Sequence, residues 1–402
     1  MQNNRPLSEM NVVISGLAYT SRTETLEAYF KAKTASLTVI ALSSCFLKES
    51  LSYCKVYEKG ELVQEFKLAN FRIKDYKWFR QPLLIFVFLG YFIEICRALK
   101  KVKKSCDLYI GISYSFALWG AILKSMGVAK RLIYYCIDYY IPATKFDFNK
   151  FFIKIMNFIE RFTVRSADYV WDISWRISEF REKIGGIKAG SYKNVVVPLG
   201  YSIDLRKSIV SAEINSYEIG FIGSISANQG LQLLVEAMPD ILNKLPQVKV
   251  TIIGQGPFLN ELKKLVSLKK LENAFEFLGF IKDETRALNR LSSSALSIAL
   301  YSENVDNANI VCADPGKIKL YLFSGLPVVT TKYSILAPEI EKNNAGALID
   351  YDAKELETVI VSLLNDKDRL SVMRENARKL GEQFISDNIF DRAIIAQMGN
   401  LA

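Results

Sequence analysis

Short apolar runs alternate with longer amphipathic stretches along the first half of the chain. The longer stretches, such as residues 23–33 and 148–167, have the apolar spacing of helices. The short runs are rich in β-branched and aromatic residues, which is typical of buried strands. These runs are residues 11–17, 36–42, 107–113, 131–138, 168–174 and 194–200. Strands that alternate with helices predict a parallel sheet with crossover helices.

The second half repeats this pattern after a polar stretch without periodicity at residues 200–217. Its short apolar runs are residues 218–223, 249–254, 275–279, 296–301, 326–331 and 345–349. A helical pattern over roughly 370–398 ends the chain. The sequence therefore predicts an α/β protein with an N-terminal domain at 1–203, a second domain at 204–385 and a C-terminal segment at 386–402.

Cysteine usage and the N-terminus predict a cytoplasmic protein. The cysteines have no regular spacing and no CxxC pair, which argues against a disulfide or zinc framework. They are Cys45, Cys54, Cys96, Cys106, Cys136 and Cys312. Residues 1–10 are polar and run directly into the first strand, so we expect no signal peptide. The longest apolar run, residues 83–93, is too short to span a bilayer.

Charge is distributed unevenly between the two halves. Residues 1–200 contain 30 Lys and Arg against 17 Asp and Glu, a net charge of +13, whereas residues 201–402 carry −3. The basic residues are concentrated at 95–104, directly after the longest apolar run, as on a helix that lies on a membrane surface. A core helix whose lysines remain in water is the alternative. The asymmetry favours an anionic partner surface, so we expect peripheral association with the inner membrane face.

A strand, a glycine turn and a helix follow one another in IGFIGSISANQGLQLLVEAM at 219–238. Gly223 ends the strand and Gly230 lies in the turn. Because the first N–H groups of a helix are unpaired and the helix dipole is positive there, this segment predicts a diphosphate-binding loop. An ordinary strand-to-helix turn is the alternative. Ser224 and Gln229, within the loop, can donate hydrogen bonds but carry no charge.

Two lysines near the start of a later helix offer the positive charge that Ser224 and Gln229 lack. In DPGKIK at 314–319, Pro315 fits the first turn of a helix and Asp314 fits its N-cap. Lys317 and Lys319 then lie about 200° apart around the helix axis, so both cannot face one phosphate. We expect one of them to face the ligand, unless one of the two lies in the preceding loop. One cleft lysine beside one solvated surface lysine is the alternative.

Several segments of the chain resemble the retaining glycosyltransferases of the GT-B fold, family 4. In the second half they are FIGSI…QGLQLLVEA (221–237), VKVTIIGQGP (248–257), FEFLGFI (275–281) and DPGKIKLYLFSGLPVV (314–329). Weaker likenesses occur at 131–140, 166–182 and 195–204. The resemblance implies two Rossmann-like parallel-sheet domains that face across a cleft, with the last segment crossing back to the first domain. It favours Lys317, because the family motif keeps a lysine there.

Three positions depart from the family pattern. The family usually has arginine and lysine where this chain has Ser224 and Gln229, and a ribose-binding glutamate where it has Leu320. The chain has no histidine, so the commonest general base is absent. The resemblance implies retaining transfer that needs neither a base nor a metal, because the leaving diphosphate can accept the proton. A divergent enzyme and a catalytically silent GT-B subunit that binds a partner enzyme or glycan are the two readings.

Ligands of open α/β sheets bind at the carboxyl ends of the strands. Together with the resemblance, this rule predicts Asp138 and Lys317 as catalytic residues and Arg22 and Arg176 as ligands of an acceptor phosphate. Asp138 as a turn cap and the two arginines as surface residues are the alternatives. The predicted donor-binding residues are Gly16, Gly223, Ser224, Gln229, Gly230, Gly254, Gly256, Phe280, Tyr301, Asp314, Lys317, Lys319 and Tyr321.

These features predict a retaining glycosyltransferase for surface polysaccharide or glycan synthesis. It would transfer a sugar from a nucleotide-diphosphate sugar to a saccharide acceptor, which we expect to be lipid-linked and held by the basic first domain. No cofactor or metal is expected. The basic residues are not interleaved with a nucleic-acid-binding module, so no nucleic acid is expected as a partner.

Overall fold

The structure is a computed structural model that describes residues 6–18, 21–45, 50–72, 80–139, 149–209, 213–301 and 314–398. Cys312, one of the six cysteines of the sequence, lies outside these residues. The chain forms two compact units. The first contains Met1–Gly200 together with Ser386–Ala402, and the second contains Tyr201–Ile385. Each unit is built on one sheet with helices packed against it, which confirms the predicted fold class.

The sheet of the first unit has the strand order β4-β3-β2-β1-β5-β6-β7-β8. Its strands are β1 (Asn11–Leu17), β2 (Ser36–Leu42), β3 (Tyr53–Glu58), β4 (Glu61–Lys67), β5 (Cys106–Ile112), β6 (Ala129–Cys136), β7 (Tyr169–Asp172) and β8 (Asn194–Val196). Each of the six predicted runs contains a strand, and these six strands pair in parallel.

The β3–β4 hairpin extends the sheet in the antiparallel sense and is absent from the sequence prediction. Its turn is Lys59–Gly60, where both residues have positive φ angles of 48° and 90°. Two consecutive positive φ angles match the twist that short hairpins require. The sheet of the first unit is therefore mixed, with a wholly parallel part from β2 to β8.

Helices of the first unit follow its strands. They are α1 (Ser21–Lys33), α2 (Arg80–Val102), α3 (Ser113–Ser125), α4 (Asn149–Ser166) and α5 (Trp175–Lys183). Because α1 begins two residues before the predicted start, Arg22 lies in its first turn and not in a loop as predicted. No helix among the described residues has the length and apolarity that crossing a membrane requires.

The sheet of the second unit has the order β11-β10-β9-β12-β13-β14, and all its pairings are parallel. Its strands are β9 (Asn215–Ile222), β10 (Lys249–Ile253), β11 (Phe275–Gly279), β12 (Ser294–Ala299), β13 (Val328–Thr331) and β14 (Gly346–Ile349). Its helices are α6 (Ile203–Ser208), α7 (Leu231–Lys244), α8 (Leu259–Leu268), α9 (Glu284–Ser292), α10 (Gly316–Phe323), α11 (Ala337–Lys342), α12 (Ala353–Asn365) and α13 (Lys367–Glu382). Each of the six predicted runs contains a strand.

The C-terminal region forms two helices where the sequence predicts one. Helix α13 ends at Glu382, and α14 (Ser386–Met398) begins after a short break. The second of these helices belongs to the first unit. There the hydroxyl of Tyr29 donates a 2.7 Å hydrogen bond to Asp391, and the ring of Phe390 stacks on Trp171 with centroids 6.0 Å apart. The last described helix thus completes the core of the first unit.

Candidate functional site

Two glycine turns meet at the carboxyl ends of β9 and β10. Gly223 and Gly254 directly follow these strands with φ angles of 142° and 145°. The N–H of Gly223 donates to the carbonyl of Ile253 over 3.0 Å. A Cβ atom on Gly254 would lie 1.9 Å from the Gly223 carbonyl oxygen. Such a separation is far below van der Waals contact, so this approach of the two turns requires glycine at 254.

Helix α7 follows the first of these turns after a short 3-10 helix at Ala227–Gln229. Gly230 is its N-cap and has a φ angle of 72°. A Cβ atom on this glycine would lie 2.0 Å from the carbonyl oxygen of Leu300, which fixes the start of the helix against the end of β12. The first N–H groups of the fourteen-residue helix have no partner within it. Its N-terminus therefore carries partial positive charge beside the glycine turns.

Lys317, in the first turn of α10, extends its side chain to these turns. Its ammonium group donates a hydrogen bond to the side-chain carbonyl of Gln229 and lies 4.1 Å from the centroid of the Phe221 ring. Its Cε atom is 3.2 Å from the position of a Cβ atom on Gly223. Burial lowers the pKa of Lys317 from 10.5 to about 7. The described ion pairs do not include this lysine.

A cavity of about 210 Å³ opens beside this ammonium group. Four predicted donor-binding residues line it together with the start of α10 and three residues that follow β13. The lining residues are Gln229, Tyr301, Asp314, Pro315, Gly316, Lys317, Tyr333, Ser334 and Ile335. Tyr333, Ser334 and Ile335 are not among the residues predicted from the sequence. The same strand-end rule that selects Gly223 would have found them, because β13 is a parallel strand of the same sheet.

Lys319 does not line this cavity, and the solvated surface position considered for the second lysine is wrong. Its side chain is completely buried, and its ammonium group pairs with the equally buried carboxylate of Asp314. Burial lowers its pKa to about 8, an effect that Asp314 opposes. The predicted N-cap is wrong, because the helix begins at Gly316 with Pro315 as its N-cap. Asp314 instead pairs with Lys319 and so connects the segment before α10 to the helix itself.

The remaining predicted donor residues of this unit surround the two turns or lie beneath them. Tyr301 is buried at the end of β12, and its N–H donates to Thr331 Oγ1 over 3.1 Å. Tyr321 is completely buried, and its hydroxyl accepts a 3.1 Å hydrogen bond from the N–H of Ile222, so it supports the turn from below. Ser224 and Phe280 are exposed.

Gly256 belongs to the same pair of turns. A Cβ atom on it would lie 2.1 Å from the carbonyl oxygen of Ile225. The N–H of Ile225 donates a 2.9 Å hydrogen bond to the backbone carbonyl of Gln255. Gly223, Gly254 and Gly256 are thus brought together by direct backbone contact. The N–H groups of Gly223 and Ile225 are already bonded within the fold, whereas the Lys317 ammonium group lies in the lining of the cavity.

Four predicted residues belong to the first unit. Gly16 is buried in β1, and a Cβ atom on it would lie 2.9 Å from Thr23 Oγ1. Asp138 is exposed two residues beyond the end of β6. Arg176 lies in the first turn of α5 with its guanidinium 5.3 Å from the ring centroid of Trp175. The side chain of Arg22 lies outside the described part of the chain.

The fold and this site define a class of α/β protein with two Rossmann-like units and, in the second, glycine turns at the strand ends beside a buried lysine. Residues 216–366, a little over a third of the chain, match the family described as glycosyl transferases group 1. This match lies within the second unit, and the chain as a whole has the GT-B fold.

The chain is similar to several curated proteins, and it spans half of their length or less. The chain is 24% identical to the sulfoquinovosyl transferase SQD2 of Arabidopsis thaliana over 66% of this chain and 50% of that protein. It is 22% identical to the poly(glycerol-phosphate) alpha-glucosyltransferase of Bacillus subtilis, over 46% of this chain and 26% of that enzyme. The putative colanic acid biosynthesis glycosyltransferase WcaL of Escherichia coli is 23% identical over 46% of this chain and 45% of its own length.

Solved structures match the fold over nearly the whole chain. Anabaena HepE in complex with UDP has a TM-score of 0.62 at 17% identity, covering 96% of this chain and 99% of that one. Sucrose-phosphate synthase from Thermosynechococcus elongatus has a TM-score of 0.67 at 14% identity, covering 98% of each chain. At these identities the likeness establishes the fold.

Proposed function

We propose that the protein is a retaining glycosyltransferase that uses a nucleotide-diphosphate sugar. The observation that carries this proposal is the position of the Lys317 ammonium group, beside the Gly223 turn and the N-terminus of α7. A lysine and a helix N-terminus together form a binding site for a diphosphate. The complexes of HepE with UDP and with UDP-glucose support a nucleotide sugar as the donor.

The position of Lys317 also bears on one departure from the family pattern, the uncharged Gln229. The family usually has a lysine at the position of Gln229, and here the ammonium group of Lys317 is bonded to the side chain at that position. An ammonium group of α10 therefore lies beside this position, although the side chain at 229 is itself uncharged. We infer that Lys317 and the N-terminus of α7 bind the donor diphosphate.

The proposed chemistry is loss of the nucleoside diphosphate and attack of the acceptor hydroxyl on the same face of the sugar. The bond from the anomeric carbon to the diphosphate oxygen breaks, the bond to the acceptor oxygen forms, and the diphosphate oxygen takes the acceptor proton. Charge develops on the leaving diphosphate, where the Lys317 ammonium and the helix N-terminus stabilise it. We propose that Asp138 faces the reacting sugar and that no metal takes part.

The proposed acceptor is a lipid-linked saccharide at the inner face of the membrane, bound by the basic first unit with Arg22 and Arg176 as phosphate ligands. Two names among the similar proteins support a surface glycan as the product class: WcaL of colanic acid biosynthesis, and WaaG, a glycosyltransferase of lipopolysaccharide biosynthesis. The net charge of +13 on residues 1–200 supports an anionic acceptor.

Thermal unfolding with a panel of nucleoside diphosphates tests the donor site. A nucleotide present at a hundredfold its dissociation constant stabilises the protein by about 2.7 kcal/mol. We expect one nucleotide to do so, and we expect Lys317→Ala to remove most of this shift while the exposed control Lys342→Ala retains it. Release of that nucleoside diphosphate from its sugar form, unchanged by EDTA, would then test turnover without a metal.

Leu320 favours a second candidate function, a silent GT-B subunit that binds a partner enzyme or a glycan. An apolar side chain at this position cannot bond a ribose hydroxyl, unlike the glutamate of the family pattern. The two candidates give different results in the same experiment. A flat response to every nucleotide, or stabilisation without turnover of any donor and acceptor tested, would favour the silent subunit.

A further inference from the structure

Helix α4 exposes an apolar stripe on the side that faces away from its unit. Phe158 is 72% exposed, Phe162 is 45% exposed, and Ile155 is also exposed. At 100° per residue these three side chains fall within an arc of about 60°. The opposite side of the helix is buried through Met156, Thr163 and Val164. Large apolar side chains in this arrangement indicate a contact surface.

Cationic side chains accompany this stripe. Lys154, Arg161 and Arg165 are exposed and extend the arc to about 120°. Within the described part of the chain, none of the three belongs to an ion pair. The only acidic residue of α4 is Glu160, which is buried and bonded to the guanidinium of Arg181 over 3.0 Å. The exposed side of α4 therefore combines aromatic groups with positive charge that no carboxylate of the helix offsets.

A second exposed stripe lies on α2. Phe86 is 69% exposed, Leu89 and Ile93 are also exposed, and the three share one side of the helix. Further along the same side are Arg97, which pairs with Glu94, and the exposed Lys100. The inner side of α2 packs on α3, where the ring of Phe92 lies 4.7 Å from that of Trp119 between centroids.

The two stripes belong to one helical layer. Helix α2 shares a buried core with α3, and α3 packs against α4 while contacting β5 and β6. The connections from β4 to β7 run in one direction along the sheet, and right-handed crossovers place their helices on one face. The exposed sides of α2 and α4 therefore both face away from the sheet, on the outer side of the first unit.

We propose that this outer side of α2 and α4 docks on a bilayer that contains anionic lipids. In this arrangement Phe158, Phe162 and the α2 stripe enter the interface between headgroups and acyl chains. Lys154, Arg161 and Arg165 bind lipid phosphates. Charge complementarity commits the proposal to a lipid surface, because aromatic groups interleaved with unpaired cations are the composition of interfacial helices. The inference rests on the proposed function in that docking would bring the enzyme to a lipid-linked acceptor.

The buried side of α4 holds the helix in the orientation that docking needs. Arg181 of α5 bonds Glu160 of α4 and also makes two hydrogen bonds to Asp172 of β7, at 2.9 and 2.7 Å. All three side chains are buried. A buried network of charges with several partners fixes the elements that carry it. Since the orientation of α4 is set by the fold, little ordering is required when the surface meets a bilayer.

Flotation with lipid vesicles tests this surface. Full-length protein is mixed with vesicles of phosphatidylcholine, alone or with phosphatidylglycerol, and the bound fraction is measured against lipid concentration. We expect binding to the anionic vesicles that weakens as salt is added. Each cation near an anionic surface adds about a fivefold gain in binding, so Arg161→Gln with Arg165→Gln should weaken it roughly thirtyfold. Phe158→Ser with Phe162→Ser should weaken it at least about tenfold at any salt concentration.

The matched control variants replace exposed apolar or basic residues of the second unit by serine or glutamine. Leu268→Ser replaces an apolar residue that is 80% exposed, and Lys264→Gln with Lys269→Gln removes two exposed charges. These variants should bind vesicles like the wild type. Nucleotide-dependent thermal shifts, measured on every variant, separate the two proposals: loss of vesicle binding with an intact nucleotide shift supports the docking surface even where turnover is absent.

Three outcomes would overturn the proposal. The first is wild-type protein that does not float with anionic vesicles at low salt. The second is a pair of double variants that bind vesicles as the wild type does. The third is a dimer in sedimentation velocity that Phe158→Ser with Phe162→Ser dissociates while vesicle binding is retained, since this result would assign the stripe to a second copy of the chain.

Discussion

The ammonium group of Lys317 donates its hydrogen bond to Gln229, a residue 88 positions earlier in the chain. Gln229 directly precedes Gly230, the N-cap of α7, and Lys317 lies in the first turn of α10, so their hydrogen bond connects the starts of these two helices. A single amide oxygen is a weak counterpart for a buried ammonium group. The pair is therefore suited to exchange its partner for a phosphate when a nucleotide binds.

Nucleotide affinity should fall as the pH rises above 7. The pKa of Lys317 is lowered to about 7 by burial, so the unliganded lysine loses its proton above that pH and binding must restore it. The dissociation constant of a nucleoside diphosphate should increase about tenfold per pH unit between roughly 7.5 and 8.5. Calorimetry in buffers of different ionisation enthalpy should detect proton uptake. Lys317→Arg, which stays charged, should show neither effect if it binds at all.

Removal of the same charge should stabilise the empty protein. The folded-state pKa of Lys317 is about 7 and its ordinary value is 10.5, so the unfolded chain binds more protons between these limits. Lys317→Met should therefore raise the free energy of unfolding by roughly 1–2 kcal/mol below pH 7. The gain should shrink as the pH rises from 7 to 10.5. Urea denaturation at several pH values measures it, and a gain that grows with pH would contradict the assignment.

The buried pair of Lys319 and Asp314 should behave as one unit. Asp314→Asn leaves a buried ammonium group without its counter-charge and Lys319→Met leaves a buried carboxylate, so each should cost roughly 3–5 kcal/mol of stability. The double variant should recover most of this loss, because it buries neither charge. A double-mutant cycle by urea denaturation gives the coupling energy. Additive single costs would show that the two groups act independently.

Gly254 should tolerate no side chain. Alanine there places its Cβ 1.9 Å from the Gly223 carbonyl oxygen at a φ angle of 145°, and we expect a loss of roughly 3–5 kcal/mol together with nucleotide binding. Gly127→Ala is the matched control, since Gly127 has a φ angle of 74° but no atom within 4 Å of its Cβ position. It should cost about 1 kcal/mol, the strain of the backbone alone. Equal losses of stability in the two variants would show that the close contact at Gly254 is not what excludes a side chain there.

The parallel strands were predictable because burial on both faces makes each of them a continuous apolar run. The β3–β4 hairpin was not recognised, since its strands alternate and β4 is largely exposed. The signal was present at Lys59–Gly60, a two-residue turn in which glycine favours the required positive φ angle. The hairpin shows that short edge strands are found from their turns more readily than from their hydrophobicity.

At the site, the sequence could separate the two lysines but could not assign a partner to either. The helical spacing predicted that Lys317 and Lys319 differ in direction, and in the structure they bond different partners, Gln229 and Asp314. Lys319 is buried, so a surface position for the second lysine was wrong. The partner of Lys319 depended on where the helix begins, and a start one residue later than expected frees Asp314 from capping. Contacts such as Lys317 with Gln229 join distant segments, so local patterns carry no information about them.

The return of α14 to the first unit has a consequence for how the molecule is made. A ribosome delivers residues 1–200 first, yet that unit still lacks the helix that covers Tyr29 and Trp171. The second unit, Tyr201–Ile385, is contiguous and can close as soon as it has emerged. The first unit is therefore the first to be translated and the last to complete its fold. If translation stops before α14, the first unit stays incompletely folded and accessible to chaperones and proteases.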